Sequence, residues 1–139
     1  MTENLRHEES FRKASVEHGL EVIDRIGSPG VRNLVSALDG VAPELGYQIL
    51  AWGYGELYES EHVTPRDRQL VTIGILGAMG GCEPELRLHL DTALNVGVTK
   101  EQIAEIVVQV AGYAGIPRAV NMAMVAKEIY AARDAAAAG

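Results

Sequence analysis

Glycine and proline cut this chain into segments with helical spacing, and nothing between the cuts alternates long enough to make a strand. Phe11, Val16, Leu20, Ile23 and Ile26 keep roughly to one helical face until Gly27-Ser28-Pro29-Gly30 stops the run. Val31 to Val41 reads as a short helix, followed by one from about Pro43 to Glu59. Thr64-Pro65 is a start signal: a capping hydroxyl, then proline at the first helical position, where no amide donor is needed. The helix it opens is apolar on most sides (Leu70, Val71, Ile73, Ile75, Leu76, Met79), which predicts burial, and Gly80-Gly81 ends it. Glu83-Pro84-Glu85 opens the next, its charges suited to the positive end of a helix dipole. That helix carries Leu86, Leu90 and Leu94 on one side and stops at Asn95-Val96-Gly97. Thr99-Lys100-Glu101-Gln102 fits a capping box, with Ile103, Ile106, Val107, Val110 and Tyr113 following at helical spacing. Gly115-Ile116-Pro117 breaks that helix and starts the last, through Val120, Met124, Val125 and Ile129. The expectation is an all-α chain of about six or seven helices, one domain over residues 1–139.

At 139 residues such a domain needs no disulfide or metal staple to fold. Twelve Lys and Arg against 19 Asp and Glu leave a net charge of −7, the wrong sign for gripping a phosphate backbone. One Trp, one Phe and five Tyr are too few for a base-stacking platform, so no nucleic-acid partner is expected. A hydrophobic content of 47% excludes a disordered tail. The longest nearly apolar run, Leu70 to Cys82, falls short of the about 20 residues that span a membrane, so no membrane partner is expected either. Met1 to Glu9 lacks the apolar stretch of a signal peptide, and the single cysteine, Cys82, permits no internal disulfide. A cytoplasmic location follows as the expectation. The Ala-rich end, Ala135 to Gly139, is expected to fray. Fifteen glycines and many alanines allow helices to approach closely, within one chain or between copies.

Reactive side chains concentrate in Cys82-Glu83-Pro84-Glu85-Leu86-Arg87-Leu88-His89. Glu85 and His89 are four apart, hence neighbours on a helix. A carboxylate beside an imidazole can hold its tautomer and raise its pKa, which suits a general acid or base; an ordinary surface pair has the same spacing. Cys82 precedes a helix, where a thiol pKa can fall, or it is a small buried apolar residue. No spacing argues for a metal: His7, His18 and His62 fall in surface or terminal segments, and neither His-Glu-x-x-His nor paired cysteines occur. Gly53-Tyr54-Gly55 follows no strand and lacks a third glycine, so it is no dinucleotide loop. Glu56, Arg68 and Asn121 are polar residues within apolar helices. Glu56 and Arg68 either pair, line a cavity, or face water.

These residues also carry a resemblance. Arg68 to Ile73, Glu85 to Leu90, Ala93 to Thr99 and Tyr113 to Pro117 resemble the γ-carboxymuconolactone decarboxylase family. His18 to Val22, Ala51-Trp52-Gly53 and Gly55-Glu56-Leu57-Tyr58 extend the likeness upstream over nearly the whole chain. The resemblance implies the all-helical fold shared with alkyl hydroperoxidase D proteins, assembled as homotrimers or homohexamers. The peroxidase branch carries Cys-x-x-Cys before its histidine; here that slot reads Cys82-Glu83-Pro84-Glu85, so the peroxidatic pair is broken. About two extra residues fall near Tyr54-Gly55 and about one near Gly81-Cys82, Tyr58 stands where Trp is common, and Asn121 comes one residue later than the family's Asn, with Val120 in its place. These departures leave room for a different substrate.

The family's reaction removes CO₂ from a lactone whose ring alkene and carbonyl take up the released electrons as a dienolate. The small carboxylate or lactone substrate is its own electron sink, so the resemblance implies no cofactor. The protein must orient the carboxylate, stabilise the enolate oxygen and deliver a proton. The expected catalytic residues are His89 for proton delivery, Glu85 to tune it, and Glu56 as a second acid or an arginine partner. Arg68 or Arg87 is expected to hold the carboxylate, with Cys82, Trp52, Tyr58 and Asn121 as further substrate contacts.

Overall fold

A computed structural model describes residues 8–139; residues 1–7, including His7, lie outside the described residues. The described residues form seven α-helices and one π-helical segment, with no strand among them, as the spacing predicts. They fall into two compact units, 1–64 and 65–139.

In the first unit, α1 (Glu9–Ile26) ends on Gly27, whose φ of 68° is a left-handed conformation that glycine adopts without a Cβ penalty. Its N–H reaches the Asp24 carbonyl, and the Ser28 N–H reaches the Ile23 carbonyl. The short α2 (Gly30–Leu38) follows, then α3 (Pro43–Gln48), which runs directly into the π segment Ile49–Glu56. A helix absorbs extra residues by widening its hydrogen bonds to i→i+5, and the Leu57 N–H bonded to the Trp52 carbonyl at 3.0 Å is one such bond. The π segment contains Tyr54-Gly55. Helix α1 lies against it so closely that a Cβ on Gly19 would stand 2.1 Å from the Leu50 carbonyl oxygen. Val22, Ile23, Ile26, Val31, Leu50, Ala51 and Tyr54 are buried there.

The second unit is built from α4 (Pro65–Met79), α5 (Glu83–Asn95), α6 (Lys100–Ala114) and α7 (Ile116–Ala138). Its core gathers Ile73, Leu86, Leu90, Ala93, Val98, Ile103, Val110, Met122, Val125 and Ile129. The capping box forms as read: Thr99 Oγ1 accepts from the Gln102 N–H at 3.1 Å, and Gln102 Oε1 accepts from the Thr99 N–H at 3.0 Å. Arg66 donates to that same Gln102 oxygen at 2.5 Å, tying α4 to α6. Arg118 donates to the Met79 carbonyl, closing the C-terminal end of α4 beside Gly80.

Two expectations need correction. Helix α4 is not buried all round: Gln69, Ile73 and Gly77 line its inner face, but Val71, Ile75 and Met79 are more than half exposed. The last helix does not fray at Ala135 but continues to Ala138, in keeping with alanine's high helix propensity. No helix among the described residues is long and apolar enough to cross a membrane.

Candidate active site

The inner face of α4 repeats every four residues, so Gln69, Ile73 and Gly77 point into the second unit together. Gly77 leaves room there for the Met122 thioether. Gln69 is fully buried, an amide in an apolar core, and a buried polar group needs a partner. The partner comes from α5: His89 Nδ1 lies 3.1 Å from Gln69 Oε1. An amide oxygen only accepts, so Nδ1 is the protonated nitrogen and the neutral ring has its basic nitrogen at Nε2.

Burial pushes the His89 pKa down to about 4, from an ordinary 6.5; Glu85, one turn earlier, acts in the raising direction but is the weaker influence. Glu85 is exposed, which explains its small effect on the ring. His89 is therefore a neutral imidazole at pH 7. Arg87 is held by Glu128 of α7, with Nη2 at 2.5 Å and Nε at 3.2 Å from the same carboxylate oxygen. Arg68 is half-buried, directly before Gln69 on α4.

Cys82 sits just before α5 and donates its thiol to the Leu76 carbonyl at 3.3 Å. Its pKa is raised rather than lowered: burial is the largest cause, then the negative charges of Glu85 and Glu83, against a smaller opposing effect of Arg118. Burial, with the first-turn carboxylates behind it, thus moves the thiol in the direction opposite to the fall that a place before a helix allows. Asn121 is exposed on α7. Among the described residues, no three His, Cys, Asp or Glu side chains gather as a metal-holding group.

The remaining candidates belong to the first unit. Trp52 is 54% exposed on the π segment, and Glu56 at its end is exposed. Tyr58 is half-buried and stacks on Tyr54, ring centroids 5.6 Å apart and nearly parallel. Tyr54 itself is buried and hydrogen-bonded to Ser28; burial raises its pKa, so its phenol stays protonated.

The structure thus brings His89 together with a residue that sequence reasoning passed over. Gln69 carries no charge and lies 20 positions from its partner, so no short-range spacing exposes it. The available signal was its place, a polar side chain in register with Ile73 and Gly77 on a helix otherwise apolar there.

The second unit is thus all-helical, with one half-buried imidazole set against a fully buried neutral amide on the neighbouring helix. Residues 43–128 match the carboxymuconolactone decarboxylase family, and the chain belongs to that family. It is 34% identical over 116 residues to a 4-carboxymuconolactone decarboxylase of Acinetobacter baylyi, covering 82% of this chain and 85% of that one. It is 29% identical over 133 residues to a nitrosuccinic acid decarboxylase of Metarhizium robertsii, covering 92% and 89%. An uncharacterized 15.0 kDa protein of Paracoccus denitrificans is 30% identical over 99 residues, or 70% and 74% of the two chains.

Proposed function

We propose that this protein is a cofactor-independent carboxy-lyase that converts 4-carboxymuconolactone to 3-oxoadipate enol-lactone in aromatic-compound catabolism in the cytoplasm. The 34% identity to a decarboxylase of that lactone, extending over most of both chains, carries the substrate assignment. The half-buried histidine of α5, paired with a fully buried amide, supports the chemistry.

In this reading Arg68, half-buried directly before Gln69, or Arg87, on the same helix as His89, holds the substrate carboxylate. The C–C bond breaks, CO₂ leaves, and its electron pair passes through the ring alkene onto the lactone carbonyl as a dienolate. A neutral imidazole is a poor acid, so His89 must first take up a proton at Nε2 from solvent. A substrate carboxylate beside the ring favours that uptake, since an opposite charge stabilises the imidazolium. The imidazolium then gives the proton to the dienolate carbon and returns to the neutral form, which balances the reaction. Within the unit that holds His89, Glu85 is proposed to tune the ring and Asn121 to touch the substrate, and Cys82, held as a thiol, takes no step.

A second reading has its own support in the nitrosuccinic acid decarboxylase, which matches 92% of this chain. Here the substrate is another small acid whose neighbouring group accepts the electron pair, as a nitro group can. Incubating the protein with each acid separately and measuring CO₂ separates the two: release from the lactone supports the first reading, and release from nitrosuccinic acid alone supports the second. Release from neither overturns both.

We further propose self-association as a homotrimer or homohexamer. Val71, Ile75 and Met79 on α4, and Ile116, Val120 and Met124 on α7, form exposed apolar lines that water would penalise in a lone chain. Light scattering on a sizing column should give three or six times the chain mass, reduced in Ile75→Glu; a wild-type monomer would contradict the assembly.

A further inference from the structure

We propose that Gln69 is a positioning residue that locks His89 in the Nδ1-protonated tautomer, so that proton exchange with the substrate takes place at Nε2. The inference rests on the reading of His89 as the proton-moving group. Two observations carry it. Gln69 is fully buried on α4 and His89 projects from α5, so two packed helices fix the pair rather than a flexible loop. The contact is 3.1 Å, and the amide atom facing the ring is the oxygen.

The chemical identity of Gln69 is as informative as its position. A carboxylate at the same place would also orient the ring, but it would hold the imidazolium in the resting protein. An amide fixes which nitrogen carries the proton without fixing the charge. The ring's charge is then left to the ligand: neutral when the site is empty, cationic when a substrate carboxylate arrives. Glu85, the nearest charged group of α5, is exposed and too weak to override this.

The test reads the tautomer directly from nitrogen NMR of histidine-labelled protein, with the His89 signals assigned by their loss in His89→Ala. Wild type should show a protonated Nδ1 and an unprotonated Nε2 for His89 at pH 7. Gln69→Leu should move the ring toward the Nε2-protonated form and lower kcat by up to about 10²-fold with KM little changed. Gln69→Glu should restore the Nδ1 proton and shift the His89 titration upward. A wild-type ring protonated at Nε2 overturns the inference without any variant, as does a folded Gln69→Leu protein with an unchanged tautomer. Because the spectra need no turnover, a protein inactive on every acid tried would sink the decarboxylase reading while leaving the tautomer result to decide this one.

Discussion

His18 in the first unit and His89 in the second sit in opposite surroundings. Around His18 stand two carboxylates: Glu21 at 3.7 Å from Nδ1, and Glu59 at Nε2, with the imidazole side chain 39% exposed. His89 instead meets a neutral amide inside a helical core, and burial outweighs the one carboxylate on its helix. The backbones differ in parallel. The first unit bends its register through a π segment and relies on a glycine to bring α1 onto it, whereas the second uses regular α-helices closed by a capping box and arginine fasteners. Water screens the charges around His18; at His89 the low dielectric magnifies any charge that a ligand brings. A neutral pair shielded from water is the surrounding that the proposed substrate-triggered proton transfer calls for.

Substitutions can break this contrast at each unit in turn. Gly19→Ala should have the largest effect on stability, about 3 kcal/mol or more, because the new methyl meets the Leu50 backbone and not a mobile side chain. Urea unfolding monitored by circular dichroism measures it; a loss below about 1 kcal/mol would show that α1 and the π segment separate easily.

The acid limb sharpens the contrast at His89. About one pH unit or more above 6.5 the ring is neutral in folded and unfolded chains alike, so it adds no pH dependence there. As pH falls, the unfolded chain takes the proton first, because the folded pKa is depressed to about 4. Stability should therefore drop between about pH 6.5 and 4, by at most about 3 kcal/mol at about 1.4 kcal/mol per pKa unit. His89→Ala should flatten that part of the curve in unfolding titrations, and an equally steep curve would place the titration elsewhere. Smallest is Thr99→Ala, which removes one half of the capping box and should cost about 1 kcal/mol in the same unfolding experiment.

Much of the fold was legible in the sequence because the helix ends are marked chemically. Gly27, Pro43, Pro84, Thr99 and Gly115 all stand at or within a residue of observed boundaries. The π segment was not legible from periodicity, since the apolar residues of Pro43–Glu59 suit a helix of either width. Hydropathy equally failed to separate the core face of α4 from its exposed face, because Ile73 and Ile75 look alike to water. At the candidate site, the Glu85–His89 spacing drew attention to His89, but Glu85 is the weaker influence on the ring: burial and Gln69, both products of tertiary packing, set its surroundings.

The most direct test of the central claim is CO₂ release from 4-carboxymuconolactone by wild type and His89→Ala side by side. The account predicts turnover by wild type, reduced about 10²–10⁴-fold in the variant while its helical circular dichroism is unchanged. Equal rates from the two proteins would contradict it and make His89 a structural residue.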